Sequence, residues 1–301
     1  MDNRTHLIER AAARISPFAA PAAPLAGDRA GVDKIVRPDL PPREGPSNPA
    51  IADEIADPPR HISDDALTQA GMLVWDASNR HIAEEFRVIQ GRILRQSFAV
   101  NGAGAPAMGN LLMITSALQG EGKSFCALNL AGEIARQGDR DVLLVDADPN
   151  PQGLAQRMGV RGPGLLDLAR RSGLIAERIA VPTAVAHLDF LPFGNNGSGS
   201  AELFASRRMA EAIETLARSR PDRLVIFDAP PCLGSSTPHT LAPIVGQIAL
   251  VVAAGRTQEG DIEAALDLLH ANQNVSVLLN KAPSWLAHSF GSYAYGSTAA
   301  N

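Results

Sequence analysis

Lys123 and Ser124, preceded by Gly120 and Gly122 in the run ALQGEGKSF, are residue types that handle a polyphosphate. Glycines let a backbone close on an anion, successive N–H groups turn inward, and a helix starting at the loop adds positive potential. At this spacing Lys123 reaches the β and γ phosphates and the Ser124 hydroxyl sits on Mg²⁺. The pattern G-x-x-x-x-G-K-[ST] is broken once, where Ala117 replaces the first glycine. Asp146 and Asp148 stand two apart after an apolar run, so in extended backbone both carboxylates point to one side. Asp228 closes LVIFD, in the place of the acidic residue of a Walker B motif. Mg²⁺ prefers oxygen ligands and keeps several waters, so the expected shell is the Ser124 hydroxyl, two phosphate oxygens and carboxylate-held waters. One Asp at a strand end is most often a helix cap; three of them beside GEGKS point to nucleotide binding. Asn280, after the run VSVLL, is either an adenine contact through its amide or a turn former. Ser235, Ser236 and His239 lack the G-x-S-x-G elbow of a serine hydrolase. The two tyrosines of the chain, Tyr293 and Tyr295, share the terminal run GSYAYGSTAAN, either as phosphoryl acceptors in a soft tail or as part of an ordinary frayed end.

These side chains need a scaffold that gathers them. Residues 111–116 have strand character and run through the loop into a helical pattern that begins at Phe125 and closes near Gly138, a C-terminal capping glycine. Strands are expected at 141–145, 188–191, 224–227, 248–253 and 275–279, with helices near 165–171, 201–219 and 261–270. Strands alternating with helices imply a mostly parallel sheet with helices on both faces and ligands at the carboxyl ends of its strands. The fold class is therefore α/β, of the P-loop NTPase kind.

The remaining organisation follows from composition. Residues 5–15 repeat apolar positions at helical spacing, giving a short helix within 1–16. Ten of the 22 prolines fall between Pro17 and Pro59. Such a stretch buries too little apolar area to offset its ordering entropy, so 17–78 reads as a disordered N-terminal tether. Ile82, Phe86, Ile89 and Ile93 then open a covering helix, a domain spans 79–290, and 291–301 forms a flexible tail. A net charge of −5 gives no case for nucleic acid as the main partner. Cys126 and Cys232 lack metal-ligand spacing. No apolar run approaches the roughly 18–20 residues of a membrane span, and MDNRTHLIER lacks a signal-peptide core. The expected location is cytoplasmic, with any membrane role supplied by a partner.

The runs SALQGEGKSFCALNLA, VLLVDADPNPQG, LVIFDAPP and VLLNK, with a tyrosine-bearing terminus, resemble the bacterial tyrosine autokinases of exopolysaccharide and capsule synthesis, above all the exosortase-associated cytosolic ones. The resemblance implies ATP bound at Gly120, Glu121, Gly122, Lys123, Ser124 and Phe125, with Asn280 nearby, and Mg²⁺ near Ser124, Asp146 and Asp228. It implies a catalytic set of Lys123, Asp146, Asp148 and Asp228, with Asp146 as the base for the tyrosine proton. It also implies transfer in trans to Tyr293 and Tyr295 within a homo-oligomeric ring. The implied partner is a membrane chain-length determinant protein, which recruits the chain to the inner face of the membrane. Several positions depart from the pattern. Gln119 stands where relatives carry proline, Asn150 and Gln152 replace basic residues, and the ring motif E-x-x-R-x-x-R becomes Glu84, Arg87 and Gln90. Two alternatives compete: an ATP-binding regulatory scaffold with weak or no kinase activity, and a partitioning or positioning ATPase, whose signature lysine is here Leu118.

Overall fold

The computed structural model describes residues 61–74, 79–98, 108–195 and 200–283. The expected N-terminal helix, most of the 17–78 tether and both tail tyrosines, Tyr293 and Tyr295, lie outside the described residues. Within these residues seven strands form one sheet: β1 (Leu111–Ser116), β2 (Val142–Asp146), β3 (Val181–Pro182), β4 (Leu188–Leu191), β5 (Leu224–Asp228), β6 (Gln247–Ala253) and β7 (Val275–Asn280). Their order is β3-β4-β2-β5-β1-β6-β7. The β3–β4 pair is antiparallel and the other pairings are parallel.

β1, β2, β5 and β6 are buried along their whole length, which is why they read as unbroken apolar runs. Successive side chains still part to opposite faces. Leu111, Met113, Val225, Phe227 and Leu250 join one core, and Leu112, Ile114, Leu224, Ile226 and Val251 the other. The second core is closed by α1 (Asp64–Ala70), α2 (Arg80–Ser97), α3 (Lys123–Arg136) and α4 (Leu154–Arg157). The first is closed by α5 (Leu165–Arg170), α6 (Ser200–Phe204), α7 (Arg207–Ser219), α8 (Thr237–Leu241) and α9 (Glu259–Leu268). Among the described residues no helix is long and apolar enough to cross a membrane.

The folded region begins earlier than Asn79. Residues 61–74, expected in the tether, carry α1 and place Ile62, Leu67, Met72 and Val74 in the core. The physical reason lies in α3. Asn129 Oδ1 accepts from the Leu73 N–H at 2.7 Å, and its Nδ2 donates to the Gly71 and Phe125 carbonyls, both at 2.9 Å. Gly132 leaves room for the segment, since a Cβ there would stand 2.9 Å from Met72 Cε. At the sheet edge Ile62 N–H donates to the Pro182 carbonyl, and Ala184 N–H returns to the Ile62 carbonyl. A second departure concerns 201–219, where one expected helix is two. The Ser206 hydroxyl donates to the Leu203 carbonyl at 2.6 Å, ending α6, and accepts from Met209 N–H at 3.4 Å, capping α7.

Candidate active site

The loop after β1 turns on two left-handed glycines, Gly120 (φ 83°) and Gly122 (φ 101°), and Gly122 is the N-cap of α3. Other residues adopt that backbone only with strain. Parallel pairing of β2 with β5 sets Asp146 directly beside Asp228 at the carboxyl end of the sheet. The loop sits over the same end, because β1 pairs with β5 on its other edge. Three strand ends therefore converge on one rim.

Lys123 is buried in that rim. Its Nζ lies 2.5 Å from Asp148 Oδ2, 3.8 Å from Asp228 Oδ1 and 3.5 Å from the Ser124 hydroxyl. Burial alone lowers the pKa of its ammonium, but Asp228, Asp148 and Asp146 outweigh that and hold it above its usual range. The Asp146 carboxyl is pushed up to about 7, first by burial and then by Asp228. Backbone N–H groups of Asp148 (3.1 Å) and Ala155 (3.2 Å) oppose the shift by donating to its two oxygens. Asp228, fully buried, is also raised, by burial and by Asp148, against the pull of Lys123, the Ser124 hydroxyl and Arg157.

Neither carboxylate oxygen of Asp228 has a hydrogen bond of normal geometry. A buried carboxylate left so is costly, and a divalent cation, directly or through its waters, supplies what it lacks. Ser124, Asp146 and Asp228 therefore fit Mg²⁺. Among the described residues no three His, Cys, Asp or Glu side chains form a metal-holding group.

The remaining sequence candidates divide into loop and support. The Glu121 side chain turns inward: its Oε2 accepts from Leu118 N–H at 2.6 Å, and its Oε1 from Ala253 N–H at 3.4 Å and the Thr257 hydroxyl. Glu121 thus offers a ligand only its backbone. The Phe125 ring packs at 6.1 Å on Phe86 of α2, away from any ligand role for its side chain. Asn280 Nδ2 donates to the Glu121 carbonyl at 2.8 Å, so one of its two N–H donors is engaged by the loop. Sequence reasoning missed Lys281, whose Nζ meets the Gly120 carbonyl at 2.6 Å, and Arg157, exposed on α4 and electrostatically favourable to Asp228. A positive-φ lysine and a cation eleven residues past the end of β2 carry no signature. Both cysteines are buried, with the Cys126 thiol pushed up to about 12, which leaves them inert. Of the altered ring motif, Arg87 joins Glu84 (2.5 Å) to Glu133 of α3 (3.2 Å), and Gln90 exchanges amide hydrogen bonds with Gln137.

No family model matches the chain. Among curated proteins it is 38% identical over 199 residues to the putative tyrosine-protein kinase EpsB of Ralstonia solanacearum, covering 65% of this chain and 26% of that protein. It is 33% identical over 160 residues to the tyrosine-protein kinase YwqD of Bacillus subtilis, covering 52% and 65%. It is 32% identical over 225 residues to the succinoglycan biosynthesis transport protein ExoP of Rhizobium meliloti, covering 69% and 26%. The solved kinase domain of Escherichia coli tyrosine kinase ETK superposes with a TM-score of 0.55 at 25% identity, over 71% of this chain and 80% of that one. The chain spans about a quarter of the length of EpsB and ExoP, and 65% of YwqD.

Proposed function

We propose, from the premise that this chain is a relative of the kinase domains of bacterial tyrosine kinases, that it binds ATP at the 120–124 loop and phosphorylates Tyr293 or Tyr295 of a neighbouring copy. The observation that carries this is the meeting of Lys123 with Asp148 and Asp228 at one rim of the sheet, with Asp146 beside Asp228 in register. Phosphoryl transfer asks a protein mainly for positioning and charge neutralisation. The backbone of Gly120, Glu121 and Gly122 orients the phosphates. Lys123 leaves Asp148 to stand against the β and γ phosphates. Ser124, Asp146 and Asp228 hold Mg²⁺, which supplies charge neutralisation when bound. The tyrosine oxygen forms the new bond to the γ phosphorus as the bond to the bridging oxygen breaks, ADP leaves with that electron pair, and Asp146 takes the phenolic proton.

The kinship with ExoP supports a place in exopolysaccharide synthesis and export. A membrane chain-length determinant protein is the partner we assign, recruiting the chain from the cytoplasm and promoting a ring. Two phosphotyrosines per tail add roughly −3 to −4 charges, so phosphorylation favours dissociation of that ring. The test is purified protein with labelled ATP and Mg²⁺, with and without that partner, followed by peptide mass spectrometry. Label on Tyr293 or Tyr295, lost in Lys123→Met, is expected. Bound ATP with neither tyrosine labelled, partner present, returns the reading to a regulatory scaffold.

A further inference from the structure

The end of β7, Asn280, and the residue after it, Lys281, touch the phosphate loop from outside, and they do so on carbonyls. Lys281 Nζ takes the Gly120 carbonyl at 2.6 Å and Asn280 Nδ2 takes the Glu121 carbonyl at 2.8 Å. In a planar trans peptide the carbonyl and the next N–H point in opposite directions. Fixing these two oxygens toward β7 therefore turns the N–H groups of Glu121 and Gly122 away from it, to the side where a concave array of N–H groups receives an anion. No described protein group accepts from the N–H groups of Gly120, Glu121 or Gly122.

Two further observations point the same way. Lys281 is a non-glycine residue at φ 57°, a backbone state uncommon for lysine; such outliers persist where the surroundings enforce them. Gly122 lies against both side chains, and a Cβ there would stand 2.1 Å from Asn280 Nδ2 and 3.9 Å from Lys281 Cε. Glu121 holds the loop on another side, through Leu118, Ala253 and Thr257. The loop is thus gripped by the ends of β6 and β7, on which it is not itself carried.

We propose that Asn280 and Lys281 are positioning residues that hold the phosphate loop in its anion-binding form, and that Asn280 acts on the polyphosphate rather than on the base. This rests on the nucleotide-binding reading above and deepens it: the pair sets affinity for any polyphosphate, whatever base it bears.

The experiment is calorimetric titration of MgATP, MgGTP and magnesium tripolyphosphate into the full chain and into Asn280→Ala, Asn280→Asp, Lys281→Met and Lys281→Arg, with thermal unfolding of each. The expected result is a loss of about tenfold or more in Asn280→Ala for all three ligands, with the ATP to GTP ratio unchanged. Asn280→Asp, which cannot donate, is no better than alanine. Lys281→Met, at an exposed side chain, shows a smaller parallel loss at an unchanged melting temperature, and Lys281→Arg restores it. Asn280→Ala that loses ATP over GTP while keeping tripolyphosphate affinity overturns the proposal in favour of base recognition. Unchanged affinities in both Asn280→Ala and Lys281→Met overturn it outright. A wild-type chain that binds none of the three ligands takes down the nucleotide reading itself, and the proposal with it.

Discussion

Asp146→Asn is expected to stabilise the nucleotide-free, metal-free protein at pH 8 while removing its activity. The Asp146 carboxyl rises from 3.8 to about 7 in the folded chain. Its acid form is therefore favoured by folding, and the sign follows: below pH 3.8 it is protonated in both states and costs nothing. The cost grows as pH climbs from 3.8 toward 7 and is complete above that. Three pH units correspond to about 4 kcal/mol. The amide removes that cost but has one acceptor oxygen for the two N–H groups, of Asp148 and Ala155, that now meet the carboxylate. One donor left facing an NH₂ group costs about 1–3 kcal/mol. The net gain at pH 8 is about 1–3 kcal/mol, worth roughly 2–4 °C of melting temperature per kcal/mol in a domain of this size. At pH 5, where the wild-type carboxyl is mostly protonated, the gain vanishes or reverses. Thermal melts from pH 5 to pH 8 in a chelator give the curves. Parallel profiles for wild type and variant would refute the charged, buried environment assigned to Asp146.

Three other outcomes are expected. Asp148→Asn frees Lys123 from its 2.5 Å partner, so nucleotide affinity holds or improves by up to about tenfold, as a charged hydrogen bond worth ~1.5 kcal/mol is no longer broken on binding. Turnover in the labelling assay falls at the same time, and a loss of affinity in titration would count against the pairing. Gly122→Ala adds a left-handed backbone cost of about 1–2 kcal/mol to a 2.1 Å clash with Asn280. It should weaken nucleotide binding more than tenfold, whereas Gly120→Ala, with nothing within 4 Å, pays the backbone cost alone; equal losses would contradict the clash. Asn129→Ala removes three hydrogen bonds to the 71–73 segment and α3, about 2–4 kcal/mol in all. Limited proteolysis should then open residues 61–74 first, and an unchanged cleavage pattern would argue that apolar packing alone holds them.

Much of the site was legible because phosphate chemistry demands few residue types at fixed spacing. Gly120, Gly122, Lys123 and Ser124 announced the loop, and the continuous apolar runs ending at Asp146 and Asp228 announced the two strands whose register brings those carboxylates together. Support around the loop was not legible. Glu121 reads as one more residue of the ATP loop until its carboxylate is found inside the turn, and Asn280 reads equally as an adenine contact or a turn former, since only the fold shows which atom its amide meets. The ordered segment at 61–74 escaped because its four anchors, Ile62, Leu67, Met72 and Val74, have no single period and are held by a side chain, Asn129, far along the chain. The two-residue β3 has no pattern of its own and forms only against β4.

Calorimetric titration of MgATP into wild type and Lys123→Met bears most directly on the whole account. The lysine is the one cation buried among Asp146, Asp148 and Asp228 within the described residues of the rim, and its removal leaves three acid side chains facing a polyphosphate. Saturable one-site binding by the wild type, with affinity at least about a hundredfold weaker in the variant, is the predicted result. Equal affinity in the two proteins would contradict it.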